Sequence, residues 1–127
     1  MIRRILIAAM LASAIPLAQA QAPACFEPKQ KFDARFVGNW EIAQWQVRYS
    51  IRQQGNQICL YARDASANEW FQISGLDWDG KTLAASFLLP STKWRTESRL
   101  TLLDNNRVRD EYSHPEGRQT DVWTRRK

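Results

Sequence analysis

From Gly38 onward, apolar and polar residues alternate along the chain with a period close to two. Successive side chains of a β-strand point to opposite faces, so this period indicates strands with one buried face. Turn-forming residues interrupt the alternation at roughly 8–12-residue intervals, which is typical of an antiparallel sandwich or barrel. The pattern therefore predicts an all-β domain without a long amphipathic helix.

The alternation and its interruptions predict eight strands. They are placed at 38–42, 46–53, 57–63, 69–74, 81–88, 93–103, 107–113 and 118–125. Short links between sequential strands favour a single antiparallel up-and-down meander. Closing the meander into a small barrel removes the exposed edges that an open sheet would leave, so we expect a barrel over residues 36–127.

The hairpin turn at 55–56 sets the pairing of the second and third predicted strands, because a slip of one residue reverses the face of every side chain. A two-residue loop at Gly55-Asn56 places apolar residues opposite each other and turns Cys59 to the outer face, opposite Arg52. The same register sets Arg48 against Arg63. The apolar pairs are Ile51 with Leu60 and Tyr49 with Ala62.

The turn at 104–106 is predicted as a three-residue loop that ends in a left-handed Asn106 and pairs Leu102 with Val108. A two-residue loop would instead set Leu102 against Arg109, so that an apolar side chain would face a charged one.

The turn at 114–117 contains Pro115 and Gly117, which suit a type I turn followed by a glycine bulge. That geometry pairs Tyr112 with Thr120 and Asp110 with Val122. It predicts an inward Asp110, beside Leu100 and Val122.

The first twenty residues have the three parts of a secretory signal peptide: basic Arg3 and Arg4, an apolar run over 5–17, and a small-x-small end at 18–20. Cleavage is expected between Ala20 and Gln21. The apolar run is too short to span a membrane, and no later run is long enough. The signal is of the exported bacterial type and predicts a periplasmic or secreted protein, with a eukaryotic secretory route left open.

Residues 21–35 are predicted to form an N-terminal arm. Phe32 and Phe36 are four residues apart, so one helical turn could lay both rings on one face and let the arm plug or skirt a barrel end. An oxidising compartment favours a disulfide between Cys25 and Cys59, which would fasten the arm to the outer wall, over two free thiols.

The motif Gly38-Asn39-Trp40 at the start of the first predicted strand resembles the Gly-x-Trp of lipocalins and fatty-acid-binding proteins, the calycin superfamily. In that superfamily the Trp closes one barrel end, and an Arg from the last strand packs across it. The resemblance implies this role for Trp40 and for Arg125 or Arg126, so that the first and last strands meet. It also implies a lipocalin-like barrel that binds a small molecule.

The chain has a formal net charge of +5, of which Arg3 and Arg4 contribute two charges. The remaining excess is too small to indicate a nucleic-acid-binding protein. Five arginines could form a basic stripe on the outer wall that binds an acidic envelope component, although most such stripes are solvated faces. They are Arg48, Arg52, Arg63, Arg107 and Arg109.

Candidate catalytic and metal-binding residues have simpler interpretations. His114 is the only histidine, lies beside Pro115 and has no nucleophile signature near it, so a solvated turn residue is favoured. The stretch 77–80 has two carboxylates spaced as in some calcium loops but lacks the other ligands, so a hairpin turn at Asp79-Gly80 is favoured. We predict no catalytic residue, metal site or cofactor, and no enzymatic activity.

Six tryptophans are many for this length, and they either fill the barrel or line a pocket. Predicted pocket residues are Tyr49, Ile51, Leu60, Phe71, Phe87, Trp94, Asp110 and Tyr112. An inward Asp110 would need a polar partner or a ligand group. The sequence favours an exported binding protein for a small apolar or amphipathic ligand. The alternative is an envelope protein-binding module, such as a hydrolase inhibitor, that uses the barrel surface or loops.

Overall fold

The computed structural model describes residues 23–127, which form one antiparallel sheet curled into a nearly closed barrel. This confirms the predicted fold class. The predicted signal peptide lies outside the described residues.

Ten strands make up the sheet. They are β1 (Ala24–Phe26), β2 (Gly38–Ile42), β3 (Val47–Gln54), β4 (Gln57–Asp64), β5 (Glu69–Trp70), β6 (Gln72–Trp78), β7 (Leu83–Leu89), β8 (Trp94–Asp104), β9 (Arg107–His114) and β10 (Gly117–Arg125). Two 3-10 turns, Ala34–Phe36 and Ala43–Trp45, flank β2.

The strands follow the order β1-β4-β3-β2-β10-β9-β8-β7-β6, and β5 pairs with β4. β2 pairs with β10, with Trp40 opposite Arg125. The first and last of the predicted strands therefore meet, as expected for a closed meander. The remaining seam lies between β4 and β6, and β1 runs along it beside both strands.

Two differences from the predicted strands have local causes. β1 spans only three residues, which is too short to show an alternation, and its position depends on pairing with β4 far along the chain. The predicted strand at 69–74 is divided into β5 and β6, and β6 continues to Trp78 through a register shift between Ser74 and Asp77. Gly75 lies at this shift with a φ of +63°, a conformation that glycine adopts at no steric cost.

Two of the three predicted hairpin registers are confirmed. The two-residue loop at Gly55-Asn56 gives every predicted pair of β3 and β4. Leu102 pairs with Val108, as predicted, but the register shifts between Leu102 and Asp104. The predicted left-handed Asn106 is wrong, because no positive φ occurs there. A bulge within β8 supplies the extra residue instead.

The register predicted for the β9–β10 hairpin is wrong by one residue. Gly117 pairs directly with His114, so Asp110 lies opposite Asp121 and Tyr112 lies opposite Gln119. The turn needs only Pro115 and Glu116, because Gly117 adopts a φ of +140° within the strand. The shift reverses the faces of β10: Trp123 is fully buried, while Val122 is 40% exposed.

The N-terminal arm closes one end of the barrel. Asp33 caps the first 3-10 turn by accepting a hydrogen bond from the Arg35 backbone N–H at 3.0 Å, and the turn buries Phe36. The rings of Phe32 and Phe36 pack with Trp78 at centroid distances of 4.8 to 5.6 Å. This aromatic plug covers the core at the end where β6 and β10 finish.

The disulfide between Cys25 and Cys59 is confirmed, with the two Cα atoms 4.0 Å apart in directly paired positions of β1 and β4. The bond holds the arm at the point where it enters the seam. It is compatible with an exported protein, since disulfides persist in oxidising compartments.

Candidate functional site

A cavity of about 550 Å³ opens at the barrel end opposite the aromatic plug. Its mouth lies among the second 3-10 turn, the β4–β5 turn and the β9–β10 turn, and it contains Trp45, Ser66 and Glu116. A volume of this size falls within the range of small-molecule sites.

The barrel interior is filled over one half and open over the other. On four of the strands, the inward residues nearer the mouth line the cavity, whereas the next inward residue towards the plug is 0 to 3% exposed. The change falls between Tyr49 and Ile51 on β3, Phe87 and Ala85 on β7, Asp110 and Val108 on β9, and Asp121 and Trp123 on β10. Packed side chains thus form the floor of the cavity.

The predicted pocket residues are divided by this floor. Six of them line the cavity: Tyr49, Phe71, Phe87, Trp94, Asp110 and Tyr112. Ile51 and Leu60 belong to the packed half that forms the floor, and they are at most 1% exposed. Alternation identifies an inward side chain but carries no information about its depth.

Asp110 is the deepest polar residue of the β9 wall and is 3% exposed. Its Oδ2 accepts a hydrogen bond from the Trp123 indole N–H at 3.0 Å. Its Oδ1 is buried, with no hydrogen-bond partner among the described residues. Burial raises the pKa of Asp110 to about 6, with a smaller contribution from the charge of Asp121, while contacts with Ser98 and Trp123 act in the opposite direction.

Two tyrosines and a second carboxylate complete the polar lining just above the floor. The Tyr112 hydroxyl donates to Asp121 Oδ2 at 2.7 Å. Burial, followed by the hydrogen bond and charge of Asp121, raises the pKa of Tyr112. Burial and the nearby Asp110 charge likewise raise the pKa of Tyr49. Both phenols are therefore neutral donors over the physiological pH range.

Aromatic rings form much of the wall and mouth. The Tyr49 ring stacks on Trp123 at 3.7 Å and meets Phe87 edge-on at 5.5 Å, and Phe71 contacts Phe87 at 6.2 Å. At the mouth, Trp94 is 37% exposed. These rings offer apolar and π surface to a bound molecule.

The residues of the predicted closed end lie together beside the plug. The Arg125 guanidinium carbon lies 4.2 Å from the centroid of the Trp40 ring, and the Trp40 indole donates to Phe36 O at 2.8 Å. A Cβ atom on Gly38 would collide with Arg125 Nη1. Arg126 points elsewhere and lies 3.6 Å from Glu41 Oε1. Arg125 thus occupies the position over the indole.

Arg125 also joins β10 to two other segments through its donors. It donates to Val37 O at 3.0 Å, to Arg35 O at 2.7 Å and to Asn105 O at 2.6 Å. A single side chain of β10 therefore fixes the arm and the β8–β9 turn across the closed end.

The other candidate sites take structural roles in the described chain. Asp79 Oδ1 accepts from the backbone N–H groups of Lys81 and Thr82 at 2.9 and 2.7 Å, as in a hairpin turn. His114 Nδ1 accepts from the Glu116 backbone at 3.1 Å, and its ring stacks on Trp94 at 5.2 Å at the cavity mouth.

The predicted basic stripe on the outer wall is interrupted by acidic and polar neighbours. Glu41 lies opposite Arg48 on β2. Arg107 pairs with Asp104 at 3.0 Å, and Arg109 lies 3.6 Å from Glu111. Arg63 donates to Asn68.

Several residues that line the cavity were not predicted from the sequence. The predicted register set Thr120 and Val122 opposite Tyr112 and Asp110, so Gln119 and Asp121 were not among the predicted pocket residues. A correct turn would have identified both. Trp45 lies on a 3-10 turn, and the left-handed Gln46 that follows it has a φ of 55°. No sequence signal marked that turn as part of the mouth.

Comparison with protein-family models, with curated proteins and with solved structures finds no match to this chain. Within residues 23–127, no helix has the length and apolar character needed to cross a membrane. The described part of the chain also holds no group of three or more His, Cys, Asp or Glu residues arranged to bind a metal ion.

Proposed function

We propose that this chain is an exported, lipocalin-like protein of the cell envelope, periplasmic or secreted, that binds a small apolar or amphipathic molecule. The observation that carries the proposal is the cavity of about 550 Å³, closed below by a packed core and open at one end. The Gly38-Trp40-Arg125 arrangement, which resembles the closed end of lipocalins, supports the same hypothesis.

The proposed role is binding rather than catalysis. The walls present aromatic rings around a few polar groups, an arrangement that buries an apolar body and orients a polar head. The envelope location is supported by the predicted signal peptide and by the disulfide.

Uptake of the neutral apolar dye Nile red, followed by fluorescence, tests the proposal. We expect saturable binding by the wild-type protein and loss of binding in Thr96→Trp, because Thr96 lines the cavity and an indole there would occupy it. The matched control is Arg95→Trp, since Arg95 is the exposed neighbour on the same strand. The control should bind like the wild type.

No saturable uptake by the wild-type protein would overturn the proposal, and equal uptake by Thr96→Trp would place the dye outside the cavity. The protein-binding alternative has one specific observation in its favour, namely that Trp45, at 48%, and Trp94, at 37%, are exposed beside the mouth. A stoichiometric protein partner recovered from an envelope extract, with no bound small molecule, would favour that alternative.

A further inference from the structure

The acidic side chains that line the cavity have no Lys or Arg beside them in the lining, and one of them, Asp110, lies deep in the cavity. Asp110 and Asp121 lie directly opposite each other on β9 and β10, and both face the cavity. Like charges at directly paired positions of a sheet are destabilising. A bound positive charge between them would turn this repulsion into attraction.

The charge of the cavity lining is opposite in sign to the net charge of the whole chain. Asp64 and Glu116 also line the cavity near the mouth, and His114 is the only nitrogen base among the described lining residues. The chain as a whole has 18 Lys and Arg against 13 Asp and Glu. The described cavity lining therefore contains four carboxylates and no Lys or Arg, against the overall charge balance.

Asp110 provides an independent indication of a ligand. The side chain is 97% buried, because its residual exposure is 3%. Its Oδ1 makes no hydrogen bond of normal geometry among the described residues, although the nearby Ser98 hydroxyl partly stabilises the charged carboxylate. A buried carboxylate oxygen without a partner is unfavourable unless a donor or cation completes it. A ligand nitrogen at this position would supply both a donor and a charge.

The surroundings favour an organic cation over a metal ion. Metal ions such as Ca²⁺ and Mg²⁺ take shells of oxygen ligands, whereas the cavity above Asp110 and Asp121 is surrounded by the rings of Tyr49, Phe71 and Phe87. Aromatic faces attract organic cations and bury apolar bodies.

We propose that the ligand is a protonated amine with an aromatic or aliphatic body, its nitrogen held between Asp110 and Asp121 and its body extending toward Trp94. This inference rests on the proposed binding function and names its substrate class.

Three compounds with one carbon skeleton test the inference: 4-phenylbutylamine, 4-phenylbutan-1-ol and 4-phenylbutanoate, titrated calorimetrically at pH 7.5. The amine is protonated at this pH. We expect it to bind at least about tenfold more tightly than the alcohol, the range of a charge-assisted hydrogen bond, and the carboxylate to bind most weakly. Asp110→Asn and Asp121→Asn should each weaken amine binding by about tenfold or more, and should weaken alcohol binding by a clearly smaller factor.

Glu111→Gln is the matched control, because Glu111 is the exposed neighbour of Asp110 on the outer face of β9. It removes the same charge and should leave both affinities unchanged. Alcohol binding that is still measurable, even if weakened, shows that each variant is folded.

Equal affinity for amine and alcohol in the wild type, or amine binding that neither Asn variant weakens, would overturn the inference while leaving the proposed function intact. If none of the three compounds binds and Nile red is also excluded, the proposed function fails, and this inference fails with it.

Discussion

Asp110 is the residue on which the chemistry of the cavity depends. One oxygen of its carboxylate accepts from the Trp123 indole, and the other has no hydrogen-bond partner within residues 23–127. Its inward position follows from the strand alternation. The alternation does not determine which residue lies opposite Asp110, because the β9–β10 turn sets Asp121 rather than Val122 there. A shift of one residue in the register of this hairpin therefore places a second carboxylate, rather than an apolar side chain, opposite Asp110.

The raised pKa of Asp110 predicts how stability depends on pH. In the folded protein Asp110 holds its proton up to about pH 6, whereas an unfolded aspartate releases it near pH 4. The folded state therefore binds more protons between these values, and the free energy of unfolding falls as the pH rises through this window. Asp110→Asn removes this fall and should raise the unfolding free energy at pH 7.5 by about 1–3 kcal/mol.

Urea denaturation of both proteins between pH 4 and pH 7.5 measures the effect. Glu111→Gln serves as the control and should follow the wild-type pH profile. Parallel profiles for Asp110→Asn and the wild type would show that the carboxyl group is not destabilised by burial.

At the scale of elements, β1 has a larger role than its three residues suggest. It pairs with β4 and runs beside β6, so it covers the seam that the other strands leave open. So short a strand has few hydrogen bonds to hold it, and the Cys25–Cys59 bond fixes it at its centre. The sequence indicated the bond through the oxidising compartment, but it did not indicate a strand.

Replacing both cysteines by alanine should lower the unfolding free energy by about 3–4 kcal/mol, the chain-entropy estimate for a loop of this length. It should also speed amide hydrogen exchange along the facing edges of β4 and β6, because β1 is no longer held in the seam. Chemical denaturation and hydrogen exchange measure the two effects.

The reduced wild-type protein is the control and should behave like the double variant. Unchanged exchange at β4 and β6, together with a fall in stability, would show that β1 holds its place without the bond.

At the scale of the whole molecule, the barrel has a closed end and an open end. Phe32, Phe36 and Trp78 plug the closed end, and Arg125 ties the arm and the β8–β9 turn across it. This rigid base leaves the other end free for a cavity. The interior is thus divided into a packed half beside the plug and a half that contains the cavity.

Gly38→Ala tests the closure. It should lower the unfolding free energy by about 2–4 kcal/mol, since the φ of +144° is strained for alanine and the new Cβ would displace Arg125 from its acceptors. Gly55→Ala is the matched control, because Gly55 also has a positive φ, of +64°, but has nothing within 4 Å of an added Cβ. Its cost should be only about 1–2 kcal/mol.

Thermal and urea unfolding compare the two variants. A cost for Gly38→Ala no greater than that for Gly55→Ala would mean that the Arg125 contacts contribute nothing to closure.

The sequence by itself determined the strand-rich fold, the Gly55-Asn56 hairpin, the disulfide and the meeting of the strands that carry Trp40 and Arg125. The first three features follow from local period, turn chemistry and the presence of two cysteines. The meeting of the two strands was implied by the resemblance of Gly38-Asn39-Trp40 to the Gly-x-Trp of lipocalins. Only the tertiary structure decided the depth of each inward side chain, the opposition of Asp110 and Asp121, and the place of β1 in the seam. Depth and opposition depend on register and barrel closure, which are set by contacts between residues distant in the chain.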